Sequence, residues 1–304
     1  MKKKIKILIL GGSGFIGYHL IAKCLKLKWH VTSVSKHIPK KKYFKKVEYI
    51  KINLKKNKEL KTLKKDYDYI VNASGYIDNN STNKYNNDHF KILRNLVLYF
   101  KKSSCKKFLN IGTSAEYGGS KSPQKEKFKC FPKSSYGRDK LKCTNYLLNS
   151  HRSFKFPSII FRVYQAYGPF QELNRLIPIA ANACYFNRKF DCSDGKQLRD
   201  FIYIEDLTSA VIKALKSKNA VGNIFNIGSG KTVSIKFIIN SIRNYFKRGK
   251  PIFGSIPLRK DETYEIYPDI SKTKKILEWR PKVSFKKGLL KTLSHYKKEY
   301  LNKY

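Results

Sequence analysis

Short apolar, β-rich runs alternate along the first half of the chain with longer stretches whose apolar positions recur every three or four residues. The runs at 5–10, 31–34, 47–52, 69–72, 108–111 and 158–162 predict strands, and the stretches at 16–26, 87–101 and 136–149 predict helices. Strand–helix alternation of this kind implies an α/β fold whose parallel sheet is covered on both faces and connected by right-handed crossovers. From about residue 170 the pattern loosens, and Pro169, Pro178, Pro251, Pro257, Pro268 and Pro281 punctuate shorter elements. The expected organisation is a dinucleotide-binding domain over 1–168 and a smaller, mainly substrate-binding region over 169–304. Segments around 199–230 are expected to return to the first domain. With 304 residues and 41% hydrophobic content, the chain can bury a core of that size.

The first strand runs into Gly11-Gly12-Ser13-Gly14-Phe15-Ile16-Gly17. In a strand–turn–helix context this G-x-x-G-x-x-G spacing has three separate physical uses. The first Gly permits a tight bend, the next lets backbone approach a pyrophosphate, and the last lets helix and strand pack closely. The helix N-terminus then offers free N–H groups to the phosphates. The motif therefore points to a doubly wound (Rossmann) sheet that binds NAD or NADP. An acidic residue ending the second strand would accept hydrogen bonds from the ribose of NAD. The chain has Val34-Ser35-Lys36-His37 instead, so Lys36 is free to pair with a 2′-phosphate and NADP(H) is favoured, with NAD as the alternative. The expected cofactor contacts are Gly11, Ser13, Gly14, Phe15, Ile16, Gly17, Ser35 and Lys36.

Charge alters the picture less than its size suggests. Lys+Arg number 65 against 21 Asp+Glu, a formal net charge of +44. Lysines are spread along the whole chain and the first arginine is Arg94. A dedicated nucleic-acid binder clusters its basic residues and uses Arg for base edges, so nonspecific polyanion binding at low salt is the expectation here. The six cysteines are scattered without a C-x-x-C pair, and neither a disulfide framework nor a metal constellation is expected. No apolar run reaches the ~20 residues that span a bilayer. The basic, apolar N-terminus reads as strand and glycine turn rather than a signal peptide, so the chain is expected in the cytoplasm.

Tyr136-Gly137-Arg138-Asp139-Lys140 puts a phenol and an ammonium four residues apart, on one helix face. A free Tyr has a pKa near ~10. A positive charge about 4 Å away at an effective dielectric near 20 is worth roughly 4 kcal/mol, enough to bring such a phenol towards neutral pH. The pair is thus a candidate acid–base centre, with Lys140 also able to hold a nicotinamide ribose.

At this point the chain resembles the extended short-chain dehydrogenase/reductase family, in its nucleotide-sugar epimerase/dehydratase/reductase branch. The resemblance rests on the glycine turn, Asn72-Ala73-Ser74-Gly75, the segment from Asn110 to Gly118, Tyr136 with Lys140, and Arg162-Val163-Tyr164-Gln165-Ala166-Tyr167-Gly168-Pro169. It continues through Arg199-Asp200-Phe201-Ile202-Tyr203-Ile204-Glu205-Asp206, Asn226-Ile227-Gly228-Ser229-Gly230, Asp269-Ile270-Ser271-Lys272 and Trp279-Arg280-Pro281. It implies that Thr113, with Ser114 as runner-up, binds the reacting oxygen beside Tyr136 and Lys140. To the cofactor contacts it adds Asn53, Leu54, Ala73, Ser74, Gly75, Tyr136 and Lys140. It also implies that Arg199 and Arg259 bind a substrate diphosphate, that Asn174 and Arg175 line the nucleotide pocket, and that Ser114 and Gln165 contact the substrate. A homodimer through the helices at 87–101 and 136–149 is implied as well.

Several departures narrow the reaction. Family dehydratases carry an acidic pair directly after the catalytic Thr, where this chain has Ser114 and Ala115; Glu116 is one position late and, on a strand, would face away. The readings left are a ketoreductase that reduces a 4-keto-6-deoxyhexose at C4, favoured by the Glu-Tyr-Gly ending, Gln165 and Lys36, and a 4-epimerase with tightly bound NAD. A non-catalytic or RNA-associated binding module is the distant alternative, weakened by the retention of Thr113, Tyr136 and Lys140. His89 stands where relatives often carry an Asn that supports the lysine through water, and reads either as its replacement or as a helix-face residue.

Overall fold

The N-terminal apolar run folds as β1 (Lys6–Leu10), with Ile7, Leu8, Ile9 and Leu10 all sealed from solvent. Successive strand side chains point to opposite faces, so Ile7 and Ile9 enter one core while Leu8 and Leu10 enter another. That double burial explains why the run is continuously apolar rather than alternating. The computed structural model describes residues 4–38, 44–75, 88–258 and 262–302.

Along the chain follow α1 (Phe15–Lys26), β2 (His30–Ser35), β3 (Val47–Lys51), the single turn α2 (Asn57–Leu60), β4 (Tyr69–Asn72) and α3 (Asp88–Phe100). Next come β5 (Lys107–Thr113), α4 (Ser135–Phe154), β6 (Ser158–Val163), β7 (Gln165–Tyr167), α5 (Leu176–Tyr185), β8 (Lys189–Cys192) and β9 (Leu198–Tyr203). The remainder is α6 (Ile204–Lys216), β10 (Ile224–Ile227), β11 (Thr232–Ser234), α7 (Ile235–Phe246), β12 (Lys250–Phe253), β13 (Glu265–Ile266), α8 (Ser271–Leu277) and α9 (Phe285–Leu301).

Seven strands form the main sheet in the order β10-β6-β5-β4-β1-β2-β3, every pair parallel. The chain winds outward from β1 in one direction through β2 and β3, then in the other from β4. The fold is therefore a Rossmann-type doubly wound sheet, and its switch point opens a crevice between the carboxyl ends of β1 and β4. Leu93, Leu96, Val97 and Phe100 of α3 and Cys143 and Leu147 of α4 seal the Leu8/Leu10 face, while α1 and α6 cover the other. β10, late in the sequence, completes the sheet edge beside β6.

Beyond β6 the smaller strands pair around β9, which takes β11 antiparallel and β13 and β7 in parallel; β8 and β12 form a separate pair. Asp206 ties this region together by accepting hydrogen bonds from Lys282 N (3.0 Å) and Val283 N (2.9 Å). All six cysteines are free, and burial pushes the Cys24 and Cys143 thiols up to about 12, as befits packing groups. Among the described residues, no helix is long and apolar enough to cross a membrane and no group of metal-ligating side chains occurs.

Candidate active site

At the end of β1 the three motif glycines take separate tasks. Gly11 has φ +82°, and a Cβ there would lie 2.7 Å from Ala73 O. A Cβ on Gly17 would come within 2.3 Å of Gly11 O, so helix and turn are in direct backbone contact. A Cβ on Gly14 would meet only Gly11 O, at 3.4 Å, leaving the space before α1 open. α1 begins without a side-chain cap and with no acidic residue in its first turn, so its first N–H groups are available to an anion. These features fit a dinucleotide pyrophosphate. Ser35 closes the turn from β2 by accepting a hydrogen bond from Ser13 N (3.0 Å), while Lys36 is exposed directly after the strand. Ser74 Oγ donates to Asn72 Oδ1 (2.5 Å), whose amide in turn donates to Asn110 Oδ1 (2.8 Å), so the turn after β4 is pinned to β5. Asn53 lies past β3 with its N–H on Glu59 Oε2 (2.7 Å), and Leu54 is part of the second core.

Thr113 ends β5 and caps the turn that follows. Its Oγ1 accepts a hydrogen bond from Ala115 N at 3.2 Å. Ser134 caps α4 through Gly137 N (3.0 Å), and Tyr136 and Lys140 project from the same face of that helix. The Lys140 ammonium is buried, sits 5.9 Å from the Tyr136 ring centre and donates to Ile111 O (3.2 Å). His89 joins this group. Its ring stands edge-on to Tyr136 (centroids 5.5 Å apart, 78° between planes), and a Cβ on Gly75 would lie 2.9 Å from the His89 ring and 3.7 Å from Lys140 Nζ. Thr113, Tyr136, Lys140, Gly75 and His89 thus converge at the carboxyl ends of β4 and β5.

A cavity of about 210 Å³ brings Gln165, Arg175 and Arg199 together with Gln171, Gln197 and Glu262. Asn174 is exposed and is not among the residues lining it, and Arg259 lies outside the described residues. The Arg199 guanidinium is almost fully buried, donates to Leu198 O (2.8 Å) and Tyr264 O (2.9 Å), and is ion-paired with Glu262. Burial pushes its pKa down and Glu262 opposes that shift. Held at the floor of a cavity by two carbonyls, its fork suits a phosphate or carboxylate.

These features find a counterpart in known proteins. The model of the NAD-dependent epimerase/dehydratase family matches residues 7–228. The chain belongs to that family. It is 27% identical over 305 residues to a putative UDP-glucose 4-epimerase of Methanocaldococcus jannaschii, covering 96% of this chain and 98% of the other. A UDP-glucuronic acid 4-epimerase from Bacillus cereus, solved with UDP-glucuronic acid and NAD, superposes with a TM-score of 0.88 at 26% identity over 97% of this chain and 100% of its own. The human dTDP-D-glucose 4,6-dehydratase is 30% identical over 203 residues, 64% of this chain and 58% of that one. The protein is thus an enzyme of the extended short-chain dehydrogenase/reductase type.

Against this family background one sequence expectation needs correction. Glu116 is not on a strand. Ser114–Glu116 form a 3-10 turn, and the Glu116 side chain turns back into the core, where it is wholly buried against Arg162 (Oε2–Nε 2.9 Å). The turn follows from a Thr-x-x-Glu capping box, in which Thr113 and Glu116 satisfy each other's backbone N–H groups. That spacing is visible in the sequence and was the available signal. Two further partners were not anticipated. Glu262 pairs with Arg199, and Asp200 accepts from Ser229 N (2.7 Å), Gly230 N (2.6 Å) and Lys231 N (3.2 Å). Burial pushes the Asp200 carboxyl up to about 6 against those three donors.

Proposed function

We propose that the protein is a nucleotide-sugar 4-epimerase that retains its nicotinamide cofactor through each cycle. The observation carrying this reading is the end-to-end similarity to chains named as a putative UDP-glucose 4-epimerase and a UDP-glucuronic acid 4-epimerase. Ser114 and Ala115 fill the positions after Thr113, and Glu116 is sealed behind the turn. A nicotinamide cofactor, held by the Gly11–Gly17 turn and by Lys140, would supply a reversible hydride acceptor for the sugar C4. The Tyr136 phenolate removes the proton from the C4 hydroxyl and gives it back, Thr113 Oγ1 hydrogen-bonds the same oxygen, and Lys140 supports the charge on the phenolate. Arg199, with Arg175 and Gln165 beside it, holds the diphosphate and orients the sugar, and Glu262 gives up its ion pair when substrate enters. Residues beyond 168 contribute mainly this substrate region. We place a homodimer contact on the outer faces of α3 and α4, which expose Lys91, Arg94, Leu98 and Lys142; light scattering of the purified protein tests it.

A second reading, a 4-keto-6-deoxyhexose reductase using NADP(H), is favoured by Ser35 and Lys36 standing where an NAD-selective acid would be. Cofactor content separates the two. The purified protein is denatured, the released nucleotide is identified by chromatography, and the protein is then titrated with NADH and NADPH and assayed with UDP-glucose for C4 inversion. Stoichiometric NAD with inversion supports the epimerase. An empty protein that prefers NADPH and leaves UDP-glucose unchanged overturns it in favour of the reductase.

A further inference from the structure

The carboxylate of Glu116 is completely buried, yet it is surrounded by donors from three different elements. Its Oε1 accepts from the backbone N–H of Thr113 (3.4 Å), at the end of β5. Its Oε2 accepts from Thr144 Oγ1 of α4 (2.8 Å) and from Arg162 Nε of β6 (2.9 Å). Arg162 in turn lies over the Tyr117 ring, 4.5 Å from its centre, and the Tyr117 hydroxyl donates to Asn226 Oδ1 (2.8 Å). Space has been cleared on both sides. A Cβ on Gly112 would come within 2.8 Å of Glu116 Oε1, and a Cβ on Gly137 within 2.7 Å of Ala115 O, so α4 rests directly on the turn.

A buried ion pair is a poor device for stability, since apolar replacements of similar volume are often neutral or stabilising. What it supplies is direction, because each of its donors must lie where the carboxylate lone pairs point. Tyr136, Lys140 and Thr144 follow one another at intervals of four along one face of α4. The Thr144 bond therefore fastens the helix directly beneath the two side chains that carry the chemistry. The Thr113 bond fastens the third.

We propose that Glu116 is a positioning residue that sets the distance between the Thr113 hydroxyl and the Tyr136 phenol, acting through Thr144 on one side and the Thr113 backbone on the other. The proposal rests on the reading of Thr113, Tyr136 and Lys140 as the catalytic set. It requires nothing of Glu116 in proton transfer, since the carboxylate is sealed from the crevice.

Glu116→Gln leaves a buried guanidinium without its counter-charge and risks the fold, so the decisive variant is Thr144→Val, with Thr144→Ser as the rescue. Val keeps the shape and removes one donor, leaving the Glu116–Arg162 pair intact. Two readouts apply to the full chain. Amide hydrogen exchange over residues 112–118 should speed up about tenfold in Thr144→Val and return in Thr144→Ser, with β1 and β4 unchanged. The kcat for C4 inversion of UDP-glucose should fall about tenfold or more, since misplacements of ~1 Å cost on the order of 10²-fold, while KM stays within about twofold. Unchanged exchange over 112–118, or a lowered melting temperature with kcat intact, overturns the proposal. Tyr136→Phe in the parent background separates the layers. If Tyr136→Phe abolishes turnover while Thr144→Val does not lower kcat, only the positioning claim fails; if Tyr136→Phe remains active, the catalytic set itself is wrong.

Discussion

In the proposed function two residues four apart on α4 carry the acid–base chemistry, and their surroundings differ. Lys140 is buried and tied to Ile111 O, whereas Tyr136 is only half-buried and faces the crevice with His89 against its edge. Removing the phenol oxygen therefore deletes the proton carrier and leaves the cofactor cradle intact. Tyr136→Phe should lower turnover by about 10²–10⁴-fold, the range ascribed to a positioned acid–base group, with NAD affinity by fluorescence titration within about threefold. Retained turnover would assign the proton to another group. The glycines allow a sharper contrast. Gly14 has an ordinary extended backbone (φ −80°), and a Cβ there would meet only Gly11 O, at 3.4 Å, whereas a Cβ on Gly17 would lie 2.3 Å from the same oxygen. Gly14→Ala should leave the melting temperature nearly unchanged and weaken the cofactor by about tenfold, because its methyl group enters the phosphate cradle. Gly17→Ala should instead cost about 1–3 kcal/mol of stability through overpacking. Thermal melts with and without NAD distinguish the two, and equal losses of stability would refute the division of labour.

Elements with a strong period were legible in the sequence, and those held by single side chains were not. All six strands anticipated in the first half form; β1 and β4 read as apolar runs because both of their faces are buried, whereas β3, at the sheet edge, leaves Glu48 and Lys51 exposed. α4 extends to Phe154, five residues beyond the anticipated end, and is closed by Lys155 at φ 57°, a left-handed cap that a lysine does not announce. Thr113, Tyr136 and Lys140, which the fold brings together, and Arg199, which lines the cavity, were singled out from spacing and resemblance. The ion pairs of Glu116 and Glu262 could not, because their partners lie 46 and 63 residues away and only the fold brings them close. The joint between α1 and α9 is another such contact. His19 of α1 donates to Pro169 O (2.8 Å), and His19 and His295 of α9 both pack on Phe170, with centroids 6.1 and 4.3 Å from its ring. Burial pushes both imidazoles below their usual 6.5, against opposing pulls from Pro169 O and Glu205 on His19 and from Glu299 on His295. The unfolded chain consequently takes up these protons first, and stability present above about pH 6.5 is lost as the pH falls through that value. Replacing both residues by Gln should flatten the decline in melting temperature between pH 7.5 and 5.5. An unchanged slope would place the acid sensitivity elsewhere.

Across the whole molecule, several acidic groups stand where a backbone N–H needs an acceptor. Asp200 takes three backbone N–H groups, Asp206 takes two, and Asp68, Glu126 and Asp139 accept from Lys6 N, Asn226 N and His89 N. No lysine can do this, since an ammonium has no lone pair to offer. Among the described residues Glu116, Asp139, Asp200 and Asp206 are buried, and the outer surface is a predominantly positive field, for a formal charge of +44. Such a field repels itself in the folded state and attracts anions to the crevice. Raising NaCl from about 0.01 M to about 0.15 M shortens the screening length from about 30 Å to about 8 Å. Self-repulsion should then weaken and the melting temperature rise, by roughly 2–4 °C for each kcal/mol relieved in a chain of this size. Sucrose at matched osmolarity serves as the control, because it carries no charge. The same salt step should raise KM for a nucleotide sugar while leaving kcat nearly unchanged, since screening acts on the approach of a dianion and not on chemistry within the closed crevice. A melting temperature insensitive to salt would mean that the lysines are spaced widely enough to be screened by water alone. A salt effect on kcat rather than KM would move the electrostatic influence from capture into the reacting centre.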